Sequence, residues 1–162
     1  MNKIKSFQID HQILQRGLYL SRLDTFDGFD VSTFDIRICK PYEDEPLDAA
    51  AIHTIEHLGA TFLRTMSNVS NKVIYFGPMG CQTGFYLVLS GKHESCSILG
   101  SVKEMFKYIM SYEGPIPGAT EQECGNCYLN NLPKARQIAF KFFNDVLSRP
   151  SVKNLYYPGQ TH

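Results

Sequence analysis

Two runs of β-forming residues, each doubling back around a short glycine turn, flank one long proline-free stretch, and this alternation limits the possible folds more than any other feature. Residues 18–39 read as two strands around a turn centred on Gly28, with Val31, Thr33, Phe34, Ile36 and Ile38 as the β-formers. Pro41 and Pro46 end this region and bound an acidic loop at 43–45. Residues 49–66 then hold no proline, and Asp48 is placed to cap their start. Ile52, Ile55, Gly59, Phe62 and Met66 recur there at helical spacing and form the expected core-facing set. A glycine in mid-helix costs about 1 kcal/mol against alanine, so Gly59 points to close packing. A second strand pair is expected over 72–76 and 84–89, around the turn Gly77-Pro78-Met79-Gly80-Cys81-Gln82-Thr83. A helix over 97–112, a loop over 114–118 and a helix over 134–147 complete the chain. The last of these has Ala135, Ile138, Ala139, Phe142, Phe143 and Val146 on its apolar side. The order β-β-α-β-β-α-α, with strands adjacent in pairs, predicts an α+β fold: an antiparallel sheet with helices packed on one face, a two-layer α/β sandwich. With 162 residues and neither repeat nor linker, a single domain over 1–162 is expected.

Composition narrows the partners. Sixteen basic residues balance sixteen acidic ones, without the basic excess or stripe of a nucleic-acid binder. No apolar run reaches the length of a membrane span, and the first twenty residues are too polar for a signal-peptide core. A cytoplasmic protein that binds neither nucleic acid nor membrane is expected. The five cysteines, at 39, 81, 96, 124 and 127, are odd in number and suit thiols and metal ligands better than a disulfide framework.

The chemistry concentrates in His53-Thr54-Ile55-Glu56-His57. On a helix the two histidines lie about 40° apart and one turn along, so both imidazoles can reach one ion, and Glu56 projects into the same arc. The His-x-x-Glu-His order matches the inverzincin metallopeptidases. The pattern also suits two partly buried histidines beside an exposed glutamate. Cys124-Gly125-Asn126-Cys127 is the obvious source of a third donor. If both cysteines bind with both histidines, the result is a closed structural zinc site; if one binds, it is a His2Cys site with an open catalytic position. Spacing does not choose between these. Cys81, on its glycine turn, reads either as a buried structural cysteine or as a thiol available as base or nucleophile beside a cation.

These motifs also carry a family likeness. His53-Thr-Ile-Glu-His57-Leu, Pro78-Met-Gly-Cys81-Gln-Thr-Gly-Phe-Tyr and Glu123-Cys124-Gly-Asn occur in order with matching separations. Upstream, Ser6-Phe-Gln-Ile-Asp-His11 and Phe34-Asp-Ile-Arg37-Ile-Cys-Lys-Pro41 match as well. Over nearly its whole length the chain resembles the S-ribosylhomocysteine lyases, which make the precursor of the autoinducer-2 quorum-sensing signal. The resemblance implies a metal held by His53, His57 and Cys124, natively ferrous iron, with zinc or cobalt as substitutes. It implies the substrate S-ribosyl-L-homocysteine and the products L-homocysteine and 4,5-dihydroxy-2,3-pentanedione. It implies Cys81 and Glu56 as acid/base groups, Ser6, His11 and Arg37 in the substrate pocket, and a homodimer with its pockets at the interface. Two features depart from the family pattern: Tyr75 stands where an acid is common, and Cys127 is unusual at its position.

Overall fold

The structure, a computed structural model, describes residues 9–159. Four strands form one antiparallel sheet in the order β1-β2-β4-β3. They are β1 (Gly17–Phe26), β2 (Phe29–Arg37), β3 (Val73–Pro78) and β4 (Gly84–Ser90). Asp27 and Gly28 both take positive φ, 48° and 84°, the pairing that a two-residue turn needs to match the strands' right-handed twist. The helices are α1 (Ala49–Thr65), α2 (Ser95–Ser111) and α3 (Leu132–Phe142), the last continuing into a π turn at Phe143–Leu147. This is the expected α+β sandwich.

Strand periodicity sorts the two faces of the sheet. Phe34, Ile36, Phe76, Phe85, Leu87 and Leu89 are buried on the face that meets the helices, where Ile55, Leu58, Val102, Met105, Phe106 and Ile109 close the core. Of the residues expected to face inward from α1, Ile52, Ile55 and Gly59 are buried and Phe62 packs against the core. Met66 does not join them: it is the C-cap of α1 and 61% exposed, because the helical register ends there. The need for Gly59 is physical, since a Cβ would stand 2.5 Å from Cε1 of Phe76. The expected starts of α2 and α3 move towards the N-terminus. Glu94 and Ser97 form a capping box, and Asn131 accepts from the Lys134 amide with Pro133 in the first turn.

The opposite face of the sheet holds a small second cluster. Tyr19 from β1 stacks on Tyr157 from the C-terminal segment, ring centroids 4.6 Å apart, with Leu14 beside them. Asp35 and Arg37 of β2 are buried here. So the sheet carries apolar packing on one side and a buried ion pair on the other.

Candidate metal centre and its flanking thiol

Helix α1 is capped by the Asp48 carboxylate, which accepts from the Ala51 amide at 2.8 Å. One turn later His53 and His57 project together, with Nε2 atoms 3.0 Å apart. Each Nδ1 lies against a backbone carbonyl: Leu129 O at 2.7 Å for His53 and Pro117 O at 2.8 Å for His57. A carbonyl only accepts, so each Nδ1 carries a proton, and in the neutral rings both Nε2 lone pairs face one another. Two such lone pairs at 3.0 Å repel unless a cation stands between them. The Cys124 sulfur lies 3.4 Å from His53 Nε2 and accepts from the Asn126 amide, also at 3.4 Å. One donor atom from each of His53, His57 and Cys124 falls within 4.8 Å of the others, and all three side chains are half-buried. Two imidazoles and a thiolate suit a divalent transition metal, and the carbonyls behind the histidines are the usual outer support of such a site. Cys127 is not in this group, and among the described residues no carboxylate joins it. Glu121 instead takes the Tyr128 hydroxyl and Glu123 that of Thr120.

A residue that sequence reasoning missed holds the cysteine segment to the helix. The buried Thr54 hydroxyl accepts from the Asn131 amide at 2.9 Å and shares its proton between Ala50 O and Asn130 Oδ1, each at 3.0 Å. Its signal was a β-branched polar residue beside Ile55 on the otherwise apolar buried side of the helix. Glu56 is half-buried on the same helix.

Cys81 lies on the β3–β4 turn, which backbone hydrogen bonds tie down on both sides. The Ile38 and Cys39 amides donate to Thr83 O, and the Leu47 amide, just before α1, donates to Gln82 O. The thiol is exposed, 3.0 Å from the Thr83 hydroxyl and 3.9 Å from Arg37 Nη1. Desolvation pushes this thiol up, but the hydrogen bonds to Thr83 and the nearby Arg37 charge outweigh it and hold Cys81 below the ordinary thiol range. Arg37 therefore stands beside the thiol. Its Nη2 pairs with Asp35 at 2.6 Å, and its Nη1 bonds the Thr83 hydroxyl. His11 bonds back to Ile9 O through Nδ1 at 2.9 Å; Ser6 lies outside the described residues. Tyr75 is 47% exposed, so it is not a core residue, and its ring lies over Gly77.

Fold and site together define a two-layer α+β protein with a His2Cys group able to hold a metal. Comparison narrows the class. The family model described as S-Ribosylhomocysteinase (LuxS) matches residues 4–153. The S-ribosylhomocysteine lyase of Desulfotalea psychrophila is 49% identical over 158 residues, covering 98% of this chain and 99% of its own. Those of Clostridium beijerinckii and Borreliella burgdorferi are 47% and 46% identical over the same length, covering 98% of this chain and 99% and 100% of theirs. The chain belongs to the S-ribosylhomocysteinase (LuxS) family, a family of carbon–sulfur lyases.

Proposed function

We propose that this chain, as a single catalytic domain over 1–162, cleaves S-ribosyl-L-homocysteine to L-homocysteine and 4,5-dihydroxy-2,3-pentanedione, the autoinducer-2 precursor. The observation that carries the reading is the group of three converging donors, His53, His57 and Cys124, in a chain matched over 98% of its length by lyases of that name. These residues hold one divalent metal, ferrous iron in the native enzyme and zinc or cobalt as substitutes. When bound, the metal supplies a Lewis acid that acidifies the C–H bond next to the sugar carbonyl.

The chain's own groups then move protons. Cys81, kept as thiolate by Thr83 and Arg37, and Glu56, on the metal-binding helix, form the acid/base pair. A proton leaves C2 and one returns at C1, which moves the carbonyl from C1 to C2. The same exchange between C3 and C2 moves it to C3. The sulfur on C5 is now β to the ketone. Removal of the C4 proton breaks the C5–S bond, homocysteine departs with a proton, and the remaining enol becomes the diketone. Arg37, His11 and Ser6 bind and orient the open-chain sugar.

The pocket is completed in a homodimer. Ser6 and His11 belong to the segment before β1, and pocket residues on such a segment are readily shared across a two-fold axis. The enzyme works in the cytoplasm; among the described residues no helix is long and apolar enough to cross a membrane. The test is direct. Metal-loaded protein is mixed with S-ribosyl-L-homocysteine, and released homocysteine is read with a thiol reagent. Protein with stoichiometric metal that releases no thiol would refute the reading.

A further inference from the structure

The buried ion pair on the far face of the sheet is more than packing. Asp35 is 1% exposed and Arg37 3%. Arg37 reaches the Cys81 turn with Nη1 while Nη2 is held by Asp35 Oδ2 at 2.6 Å. Its Nε has no partner among the described residues, so Asp35 is what fixes the guanidinium from behind. The same Asp35 Oδ2 accepts from the Tyr157 hydroxyl at 2.9 Å, while Oδ1 has no partner among the described residues. Tyr157 belongs to the C-terminal segment, beyond residues 4–153 that the family model matches. Burial and then the Asp35 charge push its phenol far up, so it stays a donor. Stacking on Tyr19 holds its ring in place.

We propose that Asp35 and Tyr157 are positioning residues for Cys81: Asp35 anchors Arg37 against the thiol, and Tyr157 anchors Asp35, so the C-terminal segment helps to hold the reactive group. A free carboxylate would rotate about its last bond and take Arg37 with it. A carboxylate oxygen shared by two donors on different segments cannot. The titratable and charged groups facing this cluster are Tyr19 and Arg22 from β1, Asp35 and Arg37 from β2, Tyr86 from β4, His11 from the N-terminal segment and Tyr157. The proposal rests on the acid/base reading of Cys81, and its test reads the thiol itself.

In metal-loaded protein, the rate of alkylation by iodoacetamide is followed at Cys81 against pH by peptide mass spectrometry, with an added cysteine-containing peptide as reference. Tyr157→Phe keeps the ring and removes the hydroxyl that bonds Asp35. It should raise the Cys81 midpoint and slow its alkylation near neutrality by about two- to tenfold, with the reference peptide unchanged. Asp35→Asn removes the charge and weakens the anchor, because an amide oxygen holds a guanidinium and a phenol less strongly than a carboxylate does. Loss of a nearby negative charge alone would lower the thiol midpoint, whereas loss of the anchor raises it. A raised midpoint is expected. If Asp35→Asn does not fold, Tyr157→Phe decides alone. An unchanged midpoint in folded Tyr157→Phe overturns the part of the C-terminal segment, and an unchanged or lowered one in Asp35→Asn overturns that of Asp35. Turnover that survives Cys81→Ser would overturn the acid/base reading and leave the alkylation result standing.

Discussion

At Cys124 and Cys127, identical side chains three residues apart have different surroundings, and the difference is testable. Cys124 sits 3.4 Å from His53 Nε2, whereas Cys127 is outside the donor group. Cys124→Ala should abolish stoichiometric metal, measured by elemental analysis, while Cys127→Ala should keep both metal and turnover. Loss of metal from Cys127→Ala would favour a closed structural site instead. The proton carriers are a second case. Glu56→Gln and Cys81→Ala preserve shape or volume closely enough to fold and bind metal, yet each should lose rate by about a factor of 10² or more. The sign of the pH dependence follows from the thiol. A lowered thiol pKa means that the base form is present above that lowered value and is lost as pH falls through it. The acid limb of kcat/KM should therefore lie below the roughly 8.5 of an unperturbed cysteine. A limb at or above that value would exclude Cys81 thiolate as the base.

Helix α1 is the element on which the site stands, and two of its residues tie it down. Gly59 faces the Phe76 ring, which stacks on Phe85 at 5.2 Å and has little room to move. Gly59→Ala gains about 1 kcal/mol of helix propensity, but overpacking costs about 1–3 kcal/mol. The expected outcome is a lower Tm in thermal unfolding; a higher Tm would show that Phe76 yields. Thr54 fixes the other side by receiving the Asn131 amide. Thr54→Val keeps the shape and leaves that amide without an acceptor, which costs about 1–3 kcal/mol. Because the cysteine segment would loosen, metal affinity should also fall by about tenfold, read by competition with a chelator. Unchanged affinity would show that the segment is held by other contacts.

For the whole molecule the proposal to test is that two copies share a pocket. His11 lies in the N-terminal segment and bonds only locally, to Ile9 O, among the described residues. If His11 of one protomer serves the metal group of its partner, two inactive variants can complement each other. Mixing His11→Ala with Cys124→Ala and allowing subunits to exchange should restore about a quarter of the wild-type activity. In the mixed dimer, the half whose pocket takes both lesions is dead and the other is intact, and mixed dimers form half of the population. Mixtures no more active than their components would mean that each pocket is built within one chain.

The sequence alone determined the elements and the local chemistry, because both depend on neighbouring residues. Alternation and helical period are written along contiguous stretches, so both strand pairs and α1 were legible, as was the stacking of His53 and His57 one turn apart. The need for Gly59 was legible too, since a helix-breaking residue in mid-helix asks for a reason. What only the tertiary structure decided lies between distant segments. The carbonyls that set the histidine tautomers come from Pro117 and Leu129, 60 and 76 residues further along the chain. Which cysteine stands near His53 depends on how Thr54 and two asparagines seat the loop, and nothing in the Cys-x-x-Cys spacing distinguishes the two thiols. The Arg37 side chain is turned towards Cys81 by Asp35, two positions earlier on the same face of β2, and Tyr157 reaches that pair from 122 residues away. Periodicity tells which way a side chain points, whereas the identity of what it meets is set by the packing of one segment on another.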